Sequence, residues 1–306
     1  MMETSKKLTQ PLFQEETPYG YLKNIDESSD TPAHGLKKIP IQGLEKEEEM
    51  KVVQKEASLL KSLKHPNILP YTENYISKDT LFMCLKTDWI SNNSGFFSFI
   101  RIGGSLSQEL KQRNGISYDG KTIIHIFHNI CEGIKYLHDH NLIHKDLRPE
   151  NIYFTQTNEI KIDFIGLERS WELLRPKTPT VLMYPIYDAP ENLQAHPYTK
   201  ISNMWSLGVI LYELCTLKHP FVGSTNLETD DKIFSIKFNK CPTRIPLQLQ
   251  EILNKLLEKN VEERYTIDQV LNLPTLKSLR NGLTLPSDLE RKFFFLSRDS
   301  ISYFSC

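Results

Sequence analysis

Apolar positions along this chain recur at more than one spacing, and each change of spacing marks an element. From Glu45 to Leu63, the residues Val52, Val53, Leu59, Leu60 and Leu63 fall mostly at helical intervals with charges between them, which predicts an amphipathic helix. His65-Pro66-Asn67 ends it, because the residue before a proline avoids the helical region. Ahead of that helix, Pro18 to Ile39 reads as short strands and turns, and behind it Ile68–Ile76 and Leu81–Leu85 read as strands. Ile123, Ile124, Phe127, Ile130, Cys131, Ile134 and Leu137 then line one face of a long buried helix. Met204 to Leu214 is apolar nearly all round and predicts a central core helix, with two more helices at Leu249–Leu257 and Thr266–Leu271. The chain has no internal repeat.

A length of 306 residues exceeds the usual single core and suits two lobes. Basic residues number 37 and acidic ones 38, for a net charge of -1, so no global field draws the chain to nucleic acid or to an anionic membrane. Neither is expected as a partner. The five cysteines, Cys84, Cys131, Cys215, Cys241 and Cys306, form no C-x-x-C pair and no metal-ligand spacing, and are expected to be reduced thiols of an intracellular protein. Residues 1–16 are polar and carry no apolar core of a signal peptide, and the apolar run at Leu207–Leu211 falls far short of the ~20 residues that span a bilayer. The cytoplasm is the expected compartment, with the nucleus also open.

The chemistry concentrates at His144-Lys145-Asp146-Leu147-Arg148-Pro149-Glu150-Asn151, where an acid and an amide stand five residues apart in one loop. Ala189-Pro190-Glu191, Trp205-Ser206-Leu207-Gly208 and Arg264 follow in order. From about Tyr19 to Leu279 this succession resembles the eukaryotic protein kinases, with their H-R-D-L-K-P-E-N loop, A-P-E and W-S-x-G motifs. Leu211 to Phe221 is especially similar to the NIMA-related serine/threonine kinases. The resemblance implies an α+β, bilobal protein-kinase-like fold over about 17–280. A small antiparallel-sheet lobe would cover about 17–86 and a mainly helical lobe about 103–280. A disordered N-terminus at 1–16 and a tail at 281–306 would flank them. Residues 87–102 form an insertion where the family has a short hinge, read as a loop over the nucleotide cleft, an inserted strand or an error in the gene model.

Residue roles follow from the same resemblance. Asp146 is expected to accept the proton of a substrate hydroxyl and Asn151 to bind magnesium. Lys37 matches the lysine that contacts the α- and β-phosphates, with Glu56 as its ion-pair partner. Arg148 takes the place of the lysine that neutralises the transferring phosphate. Gly20 and Lys86 complete the expected nucleotide contacts. His144 is expected to pack beneath the loop.

Several departures weaken that machinery. Glu15 and Thr17 stand where the phosphate-covering loop has glycines, so side chains block the close approach of backbone amides to phosphate. Phe164 fills the position of the magnesium-binding Asp of D-F-G, giving Phe164-Ile165-Gly166. Asp163, one residue earlier, would serve only through a strand slip with a compensating bulge. Met183 to Asp188 lacks the usual threonine, and Asn203 replaces the acid of the core helix. The expectation is a pseudokinase that regulates or scaffolds a protein partner, an active kinase or a protein substrate, with weakened ATP binding and magnesium binding in question. The rival expectation is a divergent active serine/threonine kinase with Asp146 as base, Asn151 and Asp163 on magnesium and Lys37 on phosphate.

Overall fold

Backbone pairing begins inside the terminus expected to be disordered: Gln14–Thr17 forms β1, its peptide groups satisfied by β2 (Gly20–Ile25) in an antiparallel hairpin. In this computed structural model the described residues are 14–17, 20–25, 34–40, 47–77, 80–86, 105–155, 158–164 and 185–277; backbone alone is described in 14–50, 52–53, 56–57 and 72–86. The insertion at 87–102, the tail from 281 and residues 1–13 lie outside them. The chain forms two compact units, residues 1–109 with 136–185, and residues 110–135 with 186–306.

In the first unit, β1, β2, β3 (His34–Pro40), β5 (Thr80–Lys86) and β4 (Tyr71–Ser77) form an antiparallel sheet in that order. The helix expected over 45–63 is α1 (Glu47–Ser62), which packs on β4 and buries Leu60. The strand expected from Ile68 starts later, at Tyr71, and slips register between Tyr71 and Glu73, as a bulge does. Residues 67–69 instead run beside β7 (Ile160–Ile162): the Ile162 N–H donates to the Asn67 carbonyl at 2.8 Å, and the Leu69 N–H to the Ile162 carbonyl at 2.9 Å. Strand β6 (Ile152–Phe154) pairs with β7 on the other side.

The described residues of the second unit are mainly helical. Helix α2 (Leu106–Gln112) begins in the first unit, and α3 (Gly120–Asp139) runs from the second into the first. The buried face of α3 is Ile123, Ile126, Phe127, Ile130, Cys131, Ile134 and Leu137; Ile124 is half-buried, and Ile126, three residues after Ile123, takes the place expected for it. After α4 (Pro190–Leu193), the core helix α5 (Lys200–Thr216) opens with a reciprocal Thr199–Ser202 capping box and buries Trp205, Leu207, Ile210 and Leu214. Helices α6 (Asn226–Ser235), α7 (Leu247–Leu256), α8 (Ile267–Leu271) and α9 (Pro274–Lys277) follow. Arg264 is buried and clamps Glu191 with both terminal nitrogens, at 2.6 and 3.0 Å, a bidentate pair that ties α4 to the segment before α8.

Gly208 lets α5 and α7 approach. A Cβ there would stand 2.8 Å from Leu257 Cδ2 and 2.9 Å from Leu256 Cβ, the latter anchored to its own backbone. Gly208→Ala is expected to destabilise the fold by about 1–3 kcal/mol through overpacking, despite the better helix propensity of alanine. Urea unfolding checks it, and a variant as stable as wild type would contradict the close approach.

Candidate functional site

The loop carrying Asp146 is shaped by the end of one helix and the start of one strand. Helix α3 stops where Asn141 adopts a left-handed backbone (φ 56°) and the Leu142 N–H donates to the Leu137 carbonyl at 2.8 Å, a Schellman-type ending. After the loop, Pro149 opens a single 3-10 turn, Pro149–Asn151, that leads directly into β6. Leu147 is buried and pins the middle of the loop.

Asn151 is buried and acts through side chain and main chain together. Its Nδ2 donates to the Asp146 carboxylate at 2.6 Å and to the Asp146 carbonyl at 2.8 Å. Its own carbonyl accepts the Asp163 N–H at 2.8 Å. His144 makes a parallel bridge. The Asp146 N–H donates to His144 Nδ1 at 3.3 Å, so the ring proton resides on Nε2, which donates to the Asp163 carbonyl at 3.1 Å. That placement beneath the loop is the one expected for His144.

Arg148 opens the turn that ends at Asn151, whose N–H donates to the Arg148 carbonyl at 3.0 Å. The Arg148 Nε donates to Glu150 at 2.9 Å while one terminal nitrogen stands 3.8 Å from Asp146 Oδ1, and Ser107 donates to the other Glu150 oxygen at 2.9 Å. Glu150 and Ser107 were not among the expected site residues; the opposite charges two apart in Arg148-Pro149-Glu150 were the available signal. Burial works to raise the Glu150 carboxyl, but the charge and hydrogen bond of Arg148, its own backbone and Ser107 together hold it below the ordinary carboxylate range.

Asp163 and Phe164 follow β7, and both are buried at 2% exposure. The Phe164 ring sits edge-on to His144, with centroids 5.7 Å apart. The Asp163 carboxylate accepts the Tyr71 hydroxyl at 2.5 Å. Because Leu69 is bonded to Ile162, Tyr71 lies next to Asp163, and the register slip at the start of β4 lies beside it. Strands β6 and β7 pair regularly from Ile152–Ile162 to Phe154–Ile160, so the bulge required by a slipped motif is not in that hairpin. Burial first, and then the Asp163 charge, push the Tyr71 phenol well above its usual range, keeping it a hydrogen-bond donor. Sequence patterning gave Tyr71 only as a strand residue, although a hydroxyl at a buried strand position calls for a partner.

Asp146, Arg148, Asn151 and Asp163 are thus brought together in one unit. Four other expected residues are placed by backbone only. Lys37 lies in mid-β3, opposite Leu22 and Met83; Gly20 opens β2 opposite Thr17; Lys86 closes β5 opposite His34; Glu56 is on α1. Glu15, at a lost glycine, pairs with Leu22 in the β1–β2 hairpin. Residues Ile165, Gly166, Met183 and Tyr184 lie outside the described residues.

Residues 19–276 match the protein kinase domain family. Among curated proteins, the chain is 29% identical over 259 residues to serine/threonine-protein kinase Nek4 of Mus musculus, covering 85% of this chain and 31% of that protein. It is 29% identical over 263 residues to Nek5 of Homo sapiens (84% and 34%) and 31% identical over 223 residues to Nek11 of Macaca fascicularis (72% and 32%). The chain therefore spans about a third of the length of these relatives.

The lowered Glu150 predicts an acid dependence. A group with a depressed folded-state pKa stabilises fully above its unfolded value and loses that contribution as pH falls through the folded one. Glu150→Gln should flatten part of the stability loss that wild type shows below about pH 4.3, measured by urea midpoints across the acid range. An unchanged acid slope would rule out the Arg148–Glu150–Ser107 chain as its source.

Proposed function

We propose, for a chain that belongs to the eukaryotic protein kinase superfamily and to its NIMA-related branch, a regulatory role: a pseudokinase that binds a protein partner instead of transferring phosphate. The fold is that of the family, a bilobal α+β arrangement with a small antiparallel sheet and a mainly helical remainder. The environment of Asp163 carries the proposal. In the unslipped motif the metal position is Phe164, whose buried ring packs on His144 and supplies no oxygen. In the slipped motif it is Asp163, whose carboxylate is buried and accepts a 2.5 Å hydrogen bond from Tyr71.

Magnesium takes near-octahedral oxygen ligands at about 2.0–2.1 Å, and Asp163 Oδ1 already accepts the Tyr71 phenol. Asn151 donates through Nδ2 to Asp146, so Oδ1 is the atom of its side chain that a metal would take. We read this donor set as unfit for magnesium, and the Glu15 and Thr17 positions as weakening ATP. The partner is a protein, an active kinase or a protein substrate, recognised in the cytoplasm or the nucleus. Among the described residues no helix is long and apolar enough to cross a membrane.

A second reading, a divergent active serine/threonine kinase, is favoured by one observation: Asp146 is held by Asn151 and lies beside a cationic Arg148, as a proton acceptor at a phosphate would be.

Thermal unfolding with ATP, with and without magnesium, separates the two. A ligand at ~100 times its dissociation constant that binds only the folded state adds about 2.7 kcal/mol. The regulatory role predicts no magnesium-dependent stabilisation and no labelled phosphate transferred to a protein substrate. Magnesium-dependent stabilisation lost in Asp163→Asn, with phosphotransfer lost in Asp146→Asn, would establish the enzyme.

A further inference from the structure

Two exposed apolar side chains stand on adjoining segments of the second unit. Ile116, in the loop before α3, and Leu247, at the start of α7, are each 66% exposed. The two segments touch: Arg244 donates to the Ser117 hydroxyl, and a Cβ on Gly120 would stand 3.0 Å from Pro246 Cγ. The loop that presents Ile116 is held firmly. Asn114 and Gly115 turn it through left-handed backbone (φ 49° and 83°), and the Ile116 N–H donates to the Arg113 carbonyl at 2.8 Å. The Arg113 side chain donates in return to the carbonyls of Ile116, at 2.6 Å, and Ser117, at 3.3 Å, with its guanidinium 3.7 Å from the ring centre of buried Tyr118. A loop so tied loses little further freedom when its apolar tip is covered.

The surroundings are cationic. Residues 110–121 and 244–251 carry Lys111, Arg113, Lys121 and Arg244 against Asp119 and Glu251, and the Asp119 carboxylate is taken up by the N–H and hydroxyl of Thr122 at the start of α3. A segment that combines leucines with acids fits this face in both respects. The chain itself contains one: residues 283–290 hold Leu283, Leu285 and Leu289 with Asp288 and Glu290, and no lysine or arginine. We propose that the Ile116–Leu247 face is the docking surface for residues 283–290 of the same chain, its leucines covering the two apolar side chains and its acids facing the cations.

The chain is long enough to reach. The described residues end at Lys277, at the close of α9. Helix α9 packs on α8, and α8 is fixed to α3 by Lys135 and Asp268 at 2.9 Å. From Lys135 back to Gly120, beside the face, α3 runs about 22 Å. An extended chain from Lys277 to Leu289 spans about 40 Å.

Hydrogen exchange of the full chain, followed by mass spectrometry of its peptides, tests the docking. The expected result is that amides of residues 283–290 exchange at least about tenfold more slowly in wild type than in Ile116→Ser/Leu247→Ser, with the same wild-type protection after dilution. Asp288→Lys/Glu290→Lys, changed only in the tail, should lose protection as well. Slow exchange of α5 in the same samples shows that a variant is folded. Unprotected amides at 283–290 in wild type would overturn the proposal. So would protection that survives in the folded Ile116→Ser/Leu247→Ser variant, which would place the segment elsewhere, or protection lost on dilution, which would assign the face to a second copy.

Discussion

Asn151 holds the candidate site together because it bonds in two directions from a buried position. Its side chain fixes both the carbonyl and the carboxylate of Asp146, and its main chain receives Asp163. His144 repeats the link between loop and strand through its two ring nitrogens. Loop and strand end are therefore tied together, and the Asp163 carboxylate cannot turn without breaking a buried hydrogen bond, at a cost of about 1–3 kcal/mol for a group left unsatisfied. Arg148, held by Glu150 and Ser107, takes its position from the same turn.

The consequence falls on Asp163. Residues 67–69 run beside β7, and the chain then bulges into β4, which brings a phenol to the carboxylate at the point where the family's metal site is expected. A kinase fold needs its loop and strand packed whether or not it transfers phosphate. Preservation of the Asp146–Asn151 bonds is thus compatible with a regulatory protein, whereas engagement of Asp163 is what bears on chemistry. The bidentate Arg264–Glu191 pair and the buried α5 belong to the scaffold in either case.

Patterns with a local period were legible in the sequence. Helices α1, α3, α5, α7 and α8 follow from apolar spacing, and the error at Ile124 against Ile126 arose because adjacent isoleucines satisfy a helical face almost equally well. The Asp146 loop was legible as a motif. Contacts set by registers between distant segments were not: Tyr71 meets Asp163 only because residues 67–69 align with β7. The start of β1 at Gln14 was missed because its partner strand, not its own polar composition, makes it a strand.

The central claim is that the Asp163 carboxylate belongs to Tyr71 and not to a metal. A crystal structure of the full chain grown with magnesium and a non-hydrolysable ATP analogue tests it most directly. The account predicts the Tyr71–Asp163 hydrogen bond intact, with no magnesium on Asp163. Asp163 turned away from Tyr71 and coordinating magnesium together with Asn151 would contradict it.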